Sequence, residues 1–219
     1  TASNNAHTAG GAVIWLDSGE EITVRELFKG LLLGNANDAA IVFAEKISGS
    51  CEDFTWLMNE KAADLGMNNT FFTSPYLTDD ENQYTTAYDA AILAAETASH
   101  SELHDIMKTW LDNIRDGKTE VVNENSLVKS YNGIIGVKAW HTEKSGYCLA
   151  ACAEREGNRY VSVVMGCSDK DERFSVGKKL LNTGFANYKI VIPGFSSEYM
   201  KPLKVKGGVD RAVLTKAES

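Results

Sequence analysis

The apolar residues of this chain change from helical to strand-like spacing near residue 134, and that change restricts the possible folds more than any other feature. Before it, apolar residues recur every three or four positions, as on one face of a helix. After it come three short runs of β-branched, aromatic and small apolar residues, at 134–140, 147–154 and 160–167. Helices followed by strands, rather than alternating with them, predict an α+β domain.

The predicted helices have recognisable ends. Thr23 and Glu26 have the spacing of a capping box. Ser50 and Thr86 are cap-type residues before amphipathic stretches, and Gly49 lies where a helix would stop. We therefore predict helices over about 23–33, from the turn at 35–37 to 47, 50–65, 86–94, 102–110 and 173–185.

The three strand-like runs predict one antiparallel sheet. Glu156-Gly157-Asn158 supplies a tight turn between the last two strands. The polar segment 73–85 predicts a long surface loop. Prolines and a Gly-Gly pair follow in the tail from Ile190. We predict one main domain over 1–190 and the start of a small β module over 191–219.

Composition excludes several classes of partner. The formal net charge is −8, with 30 acidic against 22 basic residues, which argues against nucleic acid and anionic membranes. No run approaches the roughly 20 apolar residues that span a bilayer. The four cysteines are too few for a disulfide framework. Cys148 and Cys152 would lie about 13 Å apart on one strand, too far to bridge, and are expected to be small buried apolar residues.

Several separate segments resemble the penicillin-binding D-alanyl-D-alanine carboxypeptidases. The first and longest is Glu20 to Ser50, EEITVRELFKGLLLGNANDAAIVFAEKISGS. The others, in the family's order, are MNEKAADLGMNNT, YTTAYD, IIGVKAWHTEKSGYCLAA and KKLLNTGFANY. The resemblance covers nearly the whole chain. It implies a β-lactamase-like fold, with an antiparallel sheet beside a helical cluster, in a bacterial cell-wall protein located outside the cytoplasm, with no cofactor and no metal.

The family's serine-type hydrolysis uses three motifs. Ser-x-x-Lys at the start of a helix supplies the nucleophile. Ser-x-Asn lies across the cleft, where it relays a proton and holds the substrate amide. Lys-Thr-Gly lies on a strand whose edge pairs with the substrate, and its glycine leaves room for the peptide.

Two of these motifs are recognisable here in altered form. The Ser-x-Asn position reads Asn35-Ala36-Asn37, so Asn37 is retained but Asn35 has no hydroxyl to pass a proton. The Lys-Thr-Gly position reads Lys138-Ala139-Trp140. Lys138 is retained, Ala139 cannot hydrogen-bond a substrate carboxylate, and Trp140 places an indole where the family has open backbone.

No Ser-x-x-Lys occurs upstream of Asn35, and we expect the family's first strands and nucleophile helix to be absent from this chain. Ser126–Lys129 and Ser175–Lys178 fit the pattern by accident, because the first lies in a linker and the second on the closing helix. Ser130–Asn132 mimics Ser-x-Asn but lies only a few residues before Lys138.

The histidines offer weaker signals. His100 and His104 are four residues apart, but no third ligand has a telling spacing, so surface or capping roles are expected. His141, with its neighbour Thr142, falls at the mouth of the family's cleft. It either forms a new polar site with Lys138 and Asn37 or is an exposed histidine at a strand end.

Three hypotheses follow. The first is a non-catalytic family member that binds the peptidoglycan stem peptide or an envelope protein. The second is an enzyme fragment that completes its site with a further N-terminal segment. The third is a binding protein with new chemistry at Lys138 and His141. Without the family's N-terminal strands, we expect an uncovered sheet edge to be covered by the tail from Ile190 onward, by a separate N-terminal fragment or, as we favour, by a second copy in a homodimer.

Overall fold

The computed structural model describes residues 1–189, together with the backbone of 203–204 and 212–213. Contacts divide the chain into two units, Thr1–Tyr188 and Lys189–Ser219. Most of the module predicted over 191–219 lies outside the described residues. Its described part is the strand pair Leu203–Lys204 and Ala212–Val213, which is antiparallel. Its boundary therefore stays a prediction.

The first unit has helices before residue 110 and after 171, and strands between them. The helices are α1 (Asn4–His7), α2 (Val24–Gly34), α3 (Asn37–Ser48), α4 (Cys51–Asp64), α5 (Ala87–Ser99), α6 (His104–Lys108) and α7 (Glu172–Asn187), with 3-10 turns at Ser101–Leu103 and Ser126–Lys129. Its strands are β1 (Leu111–Ile114), β2 (Thr119–Val122), β3 (Ile134–Thr142), β4 (Gly146–Arg155) and β5 (Asn158–Cys167). Among the described helices, none is long and apolar enough to cross a membrane.

Local side chains start the helices where the sequence predicts. Thr23 and Glu26 form the complete capping box of α2, and Ser50 and Thr86 accept bonds from the first turns of α4 and α5. The helix predicted over 102–110 is broken into a 3-10 turn and the short α6. Helix α6 ends at Lys108, where the amide of Asn123 donates to the carbonyls of Met107 and Thr109, both at 3.0 Å.

The main sheet has the order β3-β4-β5, antiparallel throughout, as predicted. Small residues on β4 let helices pack closely on both faces. Leu149 and Ala151 contact the apolar side of α7, whereas Ala150 faces the alanines of α5. A Cβ at Gly177 of α7 would approach Leu149 Cδ2 to 2.6 Å, so a larger residue there would require the Leu149 side chain to move.

Trp56 on α4 is 60% exposed, although large aromatic residues are usually at least partly buried. The hairpin of β1 and β2 was not predicted, because its four-residue strands are too short and polar to show a strand pattern. Its turn uses Arg115 and Asp116 in the left-handed region. Cys148 and Cys152 are buried free thiols, as predicted.

The carboxylate of Asp38 holds the segment before α2 against the start of α3. It is 1% exposed and accepts bonds from the N–H groups of Ile14 (3.1 Å) and Leu16 (3.2 Å). Trp15, between them, adopts the left-handed conformation with φ 59°, and its side chain is exposed to solvent. The negative charge also lies in the first turn of α3, where the helix dipole favours it.

We predict that Asp38→Asn lowers the free energy of unfolding by about 2–4 kcal/mol, because an amide has one acceptor oxygen and leaves buried N–H groups unpaired. Urea denaturation followed by circular dichroism measures the loss. Asp105→Asn is the matched control, since Asp105 is exposed and should change stability by no more than about 0.5 kcal/mol. Equal effects of the two substitutions would contradict this role of Asp38.

Candidate functional site

The candidate site is built around the corner between α2 and α3, at residues 35–38. Helix α2 ends because Asn35 adopts the left-handed conformation, with φ 56° and ψ 28°. The N–H groups of Asn35 and Ala36 both turn back to the carbonyl of Gly30. The carbonyls of Leu31 and Leu32, which those N–H groups would otherwise bind, are left without helical partners.

Lys138 of β3 supplies the partners that these two carbonyls lack. Its ammonium donates to the carbonyl of Leu31 and to that of Leu32 at 2.9 Å. A cation is favoured here because the C-terminal end of a helix carries partial negative charge. The amide of Asn35 makes a second, weaker link to β3, donating to the carbonyl of Ala139 at 3.4 Å.

Burial opposes the charge on Lys138. It lowers the pKa of this lysine from 10.5 to about 7, and the carboxylate of Glu124 acts in the opposite direction. The half-buried side chain therefore lies near its balance between ammonium and amine at neutral pH. A ligand carboxylate next to it would shift that balance toward the ammonium.

Asn37 uses its side chain to hold two loops. Its Nδ2 donates to the carbonyls of Gly10 (2.9 Å) and Leu77 (3.4 Å), and its Oδ1 accepts from the N–H of Leu77 at 3.2 Å. Both amide hydrogens are thus directed to the protein's own backbone. Asn37 therefore positions the loop at Leu77, which faces β3 across the cavity.

These groups line a cavity of about 350 Å³ between the corner, the loop after α4 and β3. Four of the candidate residues named from the sequence, Asn35, Asn37, Lys138 and Trp140, line this cavity, and the rest of its wall is mainly apolar. The other lining residues are Leu31, Ala40, Met58, Phe72, Ser74, Pro75, Tyr76, Leu77 and Gln83. A mostly apolar concave site with a few convergent polar groups is typical of small-ligand binding.

Ala139 and Trp140 lie on opposite faces of β3. The methyl group of Ala139 is 2% exposed and belongs to the core cluster beneath α7. Trp140 faces the cavity, and the guanidinium of Arg173 holds its backbone. Arg173 donates to the carbonyls of Trp140 (2.7 Å) and Cys148 (3.1 Å) and pairs with Glu124 at 3.4 Å.

Sequence reasoning missed the role of Arg173, which is 1% exposed at the start of α7. One signal could have found it. Arg173, Gly177 and Leu181 share one helix face at intervals of four, and the latter two are buried against the sheet. A charged residue on a buried face must find partners, which here are two carbonyls and a carboxylate.

The structure separates His141 from the other predicted polar residues. Its exposed ring packs on Tyr147, with centroids 4.2 Å apart, and it does not line the cavity. Asn37 and Lys138 are brought together, but His141 does not join them. Thr142 lines a neighbouring cavity of about 470 Å³. Substrate-binding roles for His141 and Thr142 stay predictions.

The remaining candidates lie elsewhere. His100 contacts Glu102 at 3.1 Å, and His104 contacts the carbonyl of Ala98 at 2.8 Å. Within residues 1–189, no group of three or more histidine, cysteine, aspartate or glutamate side chains could hold a metal ion. Ser126–Lys129 forms a 3-10 turn and Ser175 lies on α7, and neither lines the cavity.

A family model described as D-alanyl-D-alanine carboxypeptidase matches residues 1–169. The chain belongs to the D-alanyl-D-alanine carboxypeptidase family. It is 38% identical to the carboxypeptidase DacF of Bacillus subtilis, over 99% of this chain and 57% of that protein. It is 37% identical to DacA of Haemophilus influenzae, over 80% of this chain and 45% of that one. The chain thus spans about half the length of these relatives.

Solved structures of this family share the fold. Penicillin binding protein 5 of Haemophilus influenzae matches with a TM-score of 0.79 and 33% identity, over 85% of this chain and 55% of that one. The carboxypeptidase DacD of Francisella tularensis matches with a TM-score of 0.78 and 28% identity, over 86% and 58%. The predicted α+β, β-lactamase-like fold class is confirmed.

Because the pKa of Lys138 is lowered by folding, the free energy of unfolding should depend on pH. Between pH 7 and 10.5 the unfolded chain binds a proton at this lysine that the folded chain does not. Raising the pH removes that proton from the unfolded chain, so the free energy of unfolding should rise with pH. Relative to Lys138→Met, that of the wild type should rise by about 1.4 kcal/mol per pH unit across this window. Urea unfolding of both proteins at pH 7, 8 and 9 measures the difference.

The control for this measurement is Lys170→Met, since Lys170 is exposed. Its difference from the wild type should not depend on pH. A difference between wild type and Lys138→Met that is also constant from pH 7 to 9 would mean that Lys138 titrates at its ordinary pKa, contrary to the prediction.

Proposed function

We propose that this protein acts in the bacterial cell envelope, outside the cytoplasm, where it binds the carboxyl end of the peptidoglycan stem peptide without cleaving it. The observation that carries the proposal is the meeting of Asn37 and Lys138 in one cavity, with their polar atoms directed to the protein's own backbone. The relatives' names supply the ligand, a peptide ending in D-alanyl-D-alanine.

Binding has a physical basis at Lys138. An ammonium has three N–H donors, and the carbonyls of Leu31 and Leu32 take two. The third is available to a ligand carboxylate, and a charge-assisted bond of this kind is among the stronger ones in proteins. The apolar wall formed by Met58, Phe72 and Tyr76 suits the small methyl side chains of D-alanine.

Cleavage lacks a comparable basis. The family relays a proton through a serine hydroxyl at the position of Asn35, whose amide can neither take up a proton nor pass one on at neutral pH. The amide hydrogens of Asn37 are already bonded to Gly10 and Leu77, so they are poorly placed to orient a substrate amide. The indole of Trp140 stands at the strand edge where the family's peptide would lie.

We predict that the chain binds diacetyl-L-lysyl-D-alanyl-D-alanine and that its affinity falls by up to about tenfold per pH unit above pH 7, because only the ammonium form of Lys138 pairs with the carboxylate. Calorimetry at pH 6, 7, 8 and 9 measures this. Lys138→Met should weaken binding at pH 6 by roughly tenfold or more, whereas Lys170→Met should not.

A ligand whose terminal carboxylate is amidated provides a second control, and it should bind weakly at every pH. Equal affinity for the acid and the amide, or for wild type and Lys138→Met, would contradict the proposed site.

The enzyme-fragment alternative instead predicts release of D-alanine once a completing segment is supplied. An envelope-protein partner and a homodimer stay predictions that the same calorimetry, with light scattering, can address.

A further inference from the structure

The binding cavity has a neighbour, and the two share a wall. The second cavity, of about 470 Å³, continues along the loop 77–85 and the end of β3. Phe72, Leu77, Gln83 and Trp140 line both cavities. These four residues, which we call the partition, therefore divide one groove into two parts.

Hydrogen bonds fix the residues of the partition on both sides of the groove. On the loop side, the Asn37 amide binds both the N–H and the carbonyl of Leu77. On the strand side, the buried guanidinium of Arg173 binds the carbonyl of Trp140 at 2.7 Å. Gln83 adds a further tie, since its Oε1 accepts from the N–H of Thr73 at 3.2 Å. The wall is thus a supported feature of the fold.

The two parts of the groove differ in chemistry. The first holds the ammonium of Lys138 and the amides of Asn35 and Asn37. The second holds none of these groups and instead includes Thr142, Ser145 and charged residues of the loop. A ligand anchored by its carboxylate at Lys138 would reach the second part only by passing Trp140.

We infer that Trp140 is a specificity-determining residue that restricts the site to the last two residues of a peptide. The inference rests on the proposed function and adds the length of ligand that the site accepts. The indole is the largest side chain of the partition, and its backbone cannot retreat while Arg173 holds the carbonyl and β4 pairs with it at Cys148. Residues that precede the terminal pair gain no contact, since the indole keeps them from the second cavity.

The test compares a dipeptide and a pentapeptide, acetyl-D-alanyl-D-alanine and L-alanyl-D-γ-glutamyl-L-lysyl-D-alanyl-D-alanine, by calorimetry at pH 6. The wild type should bind both with the same affinity within about threefold. Trp140→Gly should favour the pentapeptide over the dipeptide by roughly tenfold, the effect of burying one further side chain in the opened groove. Trp56→Ser is the control, since Trp56 lies on α4 outside both cavities.

A second variant, Trp140→Ser, covers the case in which glycine weakens β3 too far for folding, and circular dichroism checks both variants. Length selectivity that stays the same in a folded Trp140→Gly or Trp140→Ser protein would overturn the inference and leave the proposed function standing. Binding of neither peptide by any of the proteins would overturn the proposed function, and the inference with it.

Discussion

The contact between Lys138 and the end of α2 is the interaction on which the site depends. It joins the sheet to the helices beside the cavity, and it depends on the backbone conformation of Asn35. Asn35 in the left-handed conformation turns two N–H groups to Gly30, which leaves the carbonyls of Leu31 and Leu32 for the ammonium. This arrangement places the ammonium of Lys138 in the wall of the cavity, where burial lowers its pKa.

The same corner organises the surrounding loops. Asn37 and Asp38, adjacent in sequence, reach the loop at Leu77 and the segment Ile14–Leu16. Asp38 makes its bonds to N–H groups of buried residues that would otherwise lack partners, so it is costly to replace. The side chains of Asn37 and Asp38 thus act as structural contacts at this corner.

Much of this architecture could be predicted from residues close together in sequence. Capping at Thr23, Ser50 and Thr86 placed three helix starts, and the alternation in 134–167 placed the sheet. Asn35, Asn37, Lys138 and Trp140, which the resemblance singled out, line one cavity. The partners of Asn37 and Arg173 could not be predicted in this way, since they lie 27 to 40 and 25 to 49 residues away. Lys138 and His141 are three residues apart on β3, so their side chains point to opposite faces of the strand and closeness in sequence does not bring them together.

The central claim is that this site holds its ligand and leaves the terminal peptide bond intact. The most direct test is to saturate the natural gene product with diacetyl-L-lysyl-D-alanyl-D-alanine, confirm occupancy by calorimetry, and measure free D-alanine over several hours. The account predicts no release above a protein-free control while the site is occupied. Release of D-alanine in proportion to protein concentration, and its loss in Lys138→Met, would show that the cavity is a working carboxypeptidase site and would contradict the account.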